Sequence, residues 1–260
     1  MTERPTSERP LRVAVTRDES ADGPLAEALR RHGMQPVACP TIAEMPPLDR
    51  APLLRAAAEL ERYDWLIVSR TRAVTALMEA RDARLLPEGL RTAAVGLSTA
   101  AALLAGGAIA PLTATTAGAE PLARALREAD QWVGKRVLLP RAAEGRHELA
   151  HSLKRWGAIV DEVVAYRTVP RPPDEIAAAW RAGAPQAVVV ASPSAARALV
   201  AAIGAQPLRK LEPLVAIGST TAMALVAVGV RAITPPRAEF EAIAELLQRV
   251  HAWRGSETIA

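Results

Sequence analysis

The chain has 260 residues, half of them hydrophobic and 23% charged, which is enough for one large core or two small ones and too apolar for a disordered chain. No run of about 18 apolar residues occurs, excluding a membrane span, and the polar opening MTERPTSERP lacks the apolar segment of a signal peptide. One cysteine, Cys39, excludes an internal disulfide and with four histidines leaves little for a Cys/His metal site, while a net charge of +4 and eight aromatics are too little for nucleic-acid binding or base stacking.

In chain order, β-branched or apolar runs alternate with Ala/Leu/Arg-rich stretches of helical period. Strands are expected at Leu11–Thr16, Trp65–Ser69, Thr92–Gly96, Arg136–Pro140, Ala187–Ala191 and Leu214–Gly218. Each is followed by a helical segment: Asp22–His32, Arg72–Ala80, Ser98–Ala105, Arg146–Trp156, Ser194–Ala202 and Thr220–Val228. Continuous apolar strands followed by amphipathic helices indicate an α/β fold with parallel sheets covered on both faces. Gly106-Gly107, Gly157 and Gly229 stand where helices should end. The closing RGSETIA is read as a frayed end.

The chain also repeats itself. Val13–Arg17 resembles Val137–Arg141, and Arg31–Val37 resembles Lys154–Val163; Arg17 and Arg141, and Gly33 and Gly157, stand 124 apart. Leu66–Leu77 resembles Val188–Leu199, and Ala93–Thr113 resembles Val215–Pro235; Arg70 and Ser192, and Gly96 and Gly218, stand 122 apart. Four blocks in one order at nearly constant offset indicate a duplication, which the likeness of all βα units does not explain. Two Pro-terminated extended segments, Val37–Pro47 and Val163–Pro173, follow equivalent βα units. If they run side by side as linkers at 37–46 and 163–173, one lobe is 10–36 plus 174–255 and the other is 47–162. Tandem domains cut near Gly134 are the alternative.

The motifs that would announce common chemistries are missing: the sequence has no Walker loop, GxGxxG, HExxH, CxxC or GxSxG. His147 and His151 share a helix face at i, i+4, yet beside Arg146 and Lys154 they read as a solvated face rather than a metal pair. Asp161 and Glu162 fall on opposite faces of a strand and cannot act as an acid/base pair. What recurs is the strand–Gly/Ser/Thr–helix junction: Ser69 and Arg70; Gly96, Ser98 and Thr99; Ser192 and Ser194; Gly218, Ser219 and Thr220. Helix N-termini present free N–H groups to carboxylates or phosphates, glycine permits close approach, and hydroxyls add donors. For any single Ser or Thr, ordinary N-capping is the competing explanation. Arg17 and Arg141 follow equivalent strands and suit either a bidentate anion contact or a solvated surface. Tyr166, one of two tyrosines, can donate from its phenol or simply pack the hinge.

Taken together, VVAYRTVP, VVVASPSAARAL and VAIGSTTAMAL, with VAVTR and AVGLSTAAAL, resemble the uroporphyrinogen-III synthase family. The family's V-x-x-Y-x-T matches Val163, Tyr166 and Thr168, its F-T-S-P-S-A is similar to Val190–Ala195, and its I-G-x-T-T-A matches Ile217–Ala222. The family's T-S-x-N-A-V stands here as Ser69-Arg70-Thr71-Arg72-Ala73-Val74, a departure that adds two cations. The likeness extends over residues 10–250 and implies two flavodoxin-like lobes joined by a two-stranded linker, with a ligand cleft between them. It implies cyclisation of hydroxymethylbilane, a linear tetrapyrrole with eight carboxylates, to uroporphyrinogen III with inversion of the last ring and loss of water.

In that reaction the pyrroles supply the electrons, so no metal or cofactor is expected. The protein folds the chain for ring closure, Tyr166 assists departure of the hydroxyl, and Thr220 and Thr99 anchor carboxylates. The remaining candidates, Arg17, Ser69, Arg70, Gly96, Ser98, Arg141, Ser192, Ser194, Gly218 and Ser219, are assigned to substrate binding. A cytoplasmic monomer without membrane or nucleic-acid partners is expected. A non-catalytic sensor that closes on a polyanion is the alternative reading, and a periplasmic-type sugar- or phosphate-binding protein, which normally carries an export signal, a remoter one.

Overall fold

The protein is described by a computed structural model, which covers residues 10–19, 22–114, 119–237 and 239–257. The N-terminal segment read as lacking a signal peptide and the last three residues of RGSETIA lie outside the described residues. The elements run β1 (Arg12–Val15), α1 (Pro24–Arg31), β2 (Gln35–Ala38), β3 (Ile42–Met45), α2 (Ala51–Ala58), β4 (Trp65–Val68) and α3 (Thr71–Ala80). Then follow β5 (Arg91–Ala94), α4 (Leu97–Ala105), β6 (Leu112–Thr113), α5 (Ala119–Ala129), β7 (Arg136–Ala142), α6 (Glu148–Arg155) and β8 (Ile159–Pro170). The chain finishes with α7 (Pro173–Gly183), β9 (Ala187–Val190), α8 (Pro193–Ile203), α9 (Ala205–Lys210), β10 (Leu214–Ala216), α10 (Ser219–Val226) and α11 (Phe240–Glu257).

All six strands and six helices expected from the pattern are present, with ends displaced by one or two residues. The pattern is clean because a strand covered on both faces must be apolar throughout. Trp65–Val68 and Ala187–Val190 are buried at every position. Helix α1 shows the complementary logic, with Pro24 at its start and Leu25, Ala26, Ala28 and Leu29 turned inward. Helix α11 runs to Glu257 and takes in Arg254–Glu257 of the segment read as a frayed end.

The chain divides into two compact units, residues 1–43 with 169–260 (unit 1) and residues 44–168 (unit 2). The four-stranded sheet has the order β10-β9-β1-β2, and the six-stranded sheet has the order β3-β8-β7-β4-β5-β6. The registered pairs β1/β2, β1/β9, β9/β10, β4/β5, β4/β7, β5/β6 and β7/β8 are all parallel. In each unit the strands of these parallel pairs gather their carboxyl ends on one edge, where α/β proteins bind ligands, above all where the strand order reverses. That reversal falls between β1 and β9 in unit 1 and between β7 and β4 in unit 2.

The segments read as linkers are extended, but most of their length is sheet. Val37 and Ala38 close β2, Ile42–Met45 is β3, and 163–170 completes the twelve-residue β8. Their polarity misleads because β2 and β3 are half-buried or exposed along their whole length. Two apolar layers cover each sheet: Leu25, Leu29, Ile243 and Leu247 lie on one face in unit 1, and Leu53, Leu77, Leu103 and Tyr166 lie on one face in unit 2.

Candidate functional site

On the carboxyl edge of unit 2, two helices begin without a side-chain cap. Arg70 is the N-cap of α3 and Gly96 the N-cap of α4, and neither start receives a side-chain hydrogen bond. In unit 1, α10 begins the same way at Gly218, whereas α8 is capped by the Ser192 hydroxyl, which accepts from the Ala195 N–H at 3.1 Å. For Ser192 the ordinary capping role is therefore realised. At α3 and α10 the third amide of the turn is taken by the N-cap carbonyl (Ala73 N–H to Arg70 at 3.0 Å, Thr221 N–H to Gly218 at 3.1 Å), and at all three starts the first two amides receive no side-chain cap, with the positive end of the helix behind them.

The two junction glycines differ. Gly96 sits at φ +91°, a conformation a side chain would strain, and a Cβ there would point into open space. Gly218 is extended, with φ −156°, and needs no glycine for conformation.

The hydroxyls sort by burial. Ser69, Ser98, Ser219 and Thr220 are exposed or half-buried at the helix starts. Ser194 is half-buried and accepts from Arg197 at 3.4 Å. Thr99, expected to anchor a substrate carboxylate, is 2% exposed, its side chain turned into the core rather than out along the helix start. The physical reason is register: its repeat equivalent is Thr221, 3% exposed, and both face inward one residue after the surface positions Ser98 and Thr220.

The two equivalent arginines also part ways. Arg17 remains partly exposed, 3.1 Å from the Glu19 carboxylate and 5.0 Å above the Phe240 ring. Arg141 is turned into its own loop. One guanidinium nitrogen donates to the carbonyls of Ala142, Ala143 and Gly145 at 2.9–3.3 Å, and the group lies 3.3 Å from both His147 and Glu162. Glu162 also takes Lys154 at 3.0 Å and His147 at 2.7 Å. Burial pulls this carboxyl up, but the Lys154 and His147 hydrogen bonds outweigh it and hold it below the usual range. The expected solvated histidine pair is thus half of an ion cluster, with the His147 and His151 rings stacked at 6.0 Å. No group of three metal-ligating residues occurs among the described residues.

Tyr166 stands near the end of β8, opposite Ala142, and is 5% exposed, its ring packed in the unit 2 core. Burial raises its pKa, Glu44 and Glu144 raise it further, and Arg70 and Arg72 oppose them. All four charges come from segments at the carboxyl edge, so the phenol end of the side chain lies there. Arg72 is held by Glu79 at 3.1 Å and Glu44 at 3.9 Å. Arg70 is exposed, and its guanidinium has no ion-pair or hydrogen-bond partner among the described residues.

The structure thus brings Ser69, Arg70, Gly96, Ser98 and Tyr166 to one edge of unit 2. It brings Arg17, Ser192, Ser194, Gly218, Ser219 and Thr220 to one edge of unit 1. Sequence reasoning missed the Glu44 and Glu144 carboxylates around Tyr166, which no local motif announces. It also missed Thr16, whose buried hydroxyl donates to the Val189 carbonyl (3.0 Å) and accepts from the Ala191 N–H (3.1 Å), joining β1 to β9 beside the site. The signal was present in VAVTR: a hydroxyl directly after an apolar strand.

Comparison with known proteins is consistent across sequence and structure. The family model described as Uroporphyrinogen-III synthase HemD matches residues 23–245. Uroporphyrinogen-III synthase of Synechococcus elongatus is 32% identical over 62% of this chain and 63% of its own length, so that match spans under two thirds of the relative. The chloroplastic uroporphyrinogen-III synthase of Oryza sativa subsp. japonica is 30% identical over 89% of this chain and 77% of its own. Among solved structures, a uroporphyrinogen III synthase mutant from Thermus thermophilus superposes with a TM-score of 0.61 at 20% identity, covering 93% of this chain and 99% of that one. Uroporphyrinogen-III synthetase from Helicobacter pylori gives 0.59 at 18% identity, covering 91% and 97%.

Proposed function

Because this chain belongs to the uroporphyrinogen-III synthase family, we propose that it cyclises hydroxymethylbilane to uroporphyrinogen III, inverting the last ring and releasing water. The observation that carries this reading is the family match over residues 23–245, which includes the junctions of both units. The geometry agrees with it: three uncapped helix starts, the hydroxyls of Ser69, Ser98, Ser219 and Thr220 beside them, and unpaired Arg70 suit a substrate with many carboxylates. In this reading the carboxyl edge of each unit offers groups that hold the tetrapyrrole, and the protein works as a cytoplasmic monomer.

Two roles follow. Arg70 and the N-termini of α3, α4 and α10 hold carboxylates and orient the chain for ring closure, where positioning supplies much of the acceleration. Tyr166, whose phenol burial keeps protonated at neutral pH, donates a hydrogen bond to the departing hydroxyl. Arg141 and Ser192, already engaged by their own loops, shape the edge rather than touch substrate.

The decisive experiment mixes the purified protein with hydroxymethylbilane and resolves the isomers. Type III product in excess of the spontaneous type I is expected. Type I alone would leave the sensor reading, which the comparisons do not support.

A further inference from the structure

The opposite, amino-terminal edge of each sheet carries a second feature, and the repeat puts it in the same place twice. In unit 1 an open cavity of about 560 Å³ lies where β10 begins, walled by Leu211, Leu214, Ile233 and Val250. In unit 2 a cavity of about 480 Å³ lies where β5 begins, between 88–92 and 109–113. The first is lined by 211–214 and 231–233, so the two linings follow the same 122-residue offset as the junction motifs. Both are of a size that encloses a small organic molecule.

The two grooves differ in whether their charge is already neutralised. In unit 2, Arg91 lies 4.4 Å over the Trp65 ring, 2.9 Å from Asp130, and donates to the Ala129 carbonyl at 3.0 Å. Trp65 in turn fixes Asp130 through its indole N–H at 2.8 Å. That groove supplies its own anion. In unit 1 neither arginine of the lining forms an ion pair with a carboxylate among the described residues. Arg231 is exposed, without an ion-pair or side-chain hydrogen-bond partner among the described residues. Arg209 is pinned at the rim by donating to the Gly229 carbonyl at 2.7 Å, an approach only glycine permits because a Cβ there would collide with the guanidinium. Among the described lining residues Glu212 is the one acid, and it has a partner of its own; Arg209 and Arg231 are the two cations.

From this contrast we propose that the unit 1 groove is a binding site for a small organic monoanion with an apolar body, a medium-chain or aromatic carboxylate. The apolar walls take the body, and Arg231 with the preset Arg209 takes the carboxylate. The site is independent of the tetrapyrrole reading, since it lies on the edge away from the junction residues.

Octanoate is the probe, titrated into the full-length 15N-labelled protein with octanol and acetate as separate arms. Saturable shifts at the amides of Gly229, Ala232 and Ile233 are expected, with a Kd of about 1 mM or tighter. Octanol and acetate should each bind at least about tenfold more weakly, because each lacks one half of the recognition. R231E should weaken octanoate about tenfold or more, R209Q should weaken it less, and R181E, on α7, should leave it unchanged. Still amides at that edge, equal binding of octanol, or unaltered affinity in R231E would each overturn the proposal.

Discussion

Units 1 and 2 share a core of four strands in the same order, β10-β9-β1-β2 and β5-β4-β7-β8, yet at equivalent positions they solve the same structural problem with different chemistry. Thr16, which ties β1 to β9 through its hydroxyl, corresponds to Pro140 on β7, which has no donor to offer. Arg17 is a partly exposed ion-pair member, while Arg141 is the hub of its loop. At the C-terminus of α1, His32 lies 2.8 Å from Glu241 and 3.0 Å from Gln248 on α11. Its equivalent at the end of α6, Trp156, instead packs 6.1 Å from Trp132, which stands 5.2 Å from Trp65. The central strands keep their order in both units, as β1 and β9 do in one and β7 and β4 in the other, because strands buried on both faces must stay apolar. The edges carry no such constraint and have diverged.

Paired substitutions break or sharpen that comparison. The largest difference is expected between R141A and R17A. Losing the Arg141 hub leaves three carbonyls and Glu162 short of a partner and should cost unit 2 about 2–4 kcal/mol in urea unfolding; R17A should cost under about 1 kcal/mol. Equal costs would mean the loop hub is not structural. Next, Y166F should lower turnover of hydroxymethylbilane about 10–100-fold with little change in KM, whereas Y63F, which removes a donor to Asp161 at 2.8 Å on the same strand, should leave turnover intact. T16V should destabilise unit 1 by about 1–2 kcal/mol, since the Ala191 N–H loses its acceptor while the Val189 carbonyl keeps the Thr16 N–H, with no counterpart in unit 2.

Smaller still is the glycine pair. G96A forces a side chain into positive φ and should cost about 1 kcal/mol by thermal melting, while G218A, already extended, should be nearly silent in stability. The smallest effect concerns pH. The Gln248 and Glu241 contacts raise the His32 pKa above its ordinary 6.5, so its contribution to stability is complete below about 6.5 and is lost as pH rises through the higher folded value. H32Q should flatten the difference between melts at pH 6 and pH 8, an effect of under about 1 kcal/mol for a pair whose carboxylate partner is exposed.

The six strand–helix units and their repeat were legible because burial on both faces leaves a continuous apolar run that few other structures need. Strands β2 and β3 were not, since a half-buried strand in a Pro-bounded segment has the composition of a loop. Of the site, the junctions Ser69-Arg70, Gly96-Leu97-Ser98 and Gly218-Ser219-Thr220 could be read directly. The inward turn of Thr99 and the capture of Arg141 could not.

The amino-acid sequence alone therefore settled the α/β class, the duplication and the family likeness, because these rest on periodicity and on short motifs within single βα units. Only the folded chain decided which hydroxyls reach solvent, which arginine is left unpaired, and that Glu44 and Glu144 join Arg70 and Arg72 around Tyr166. Those are properties of contacts between residues up to 122 positions apart, Glu44 and Tyr166, and hydrogen-bond partners chosen across such distances leave no trace in local pattern.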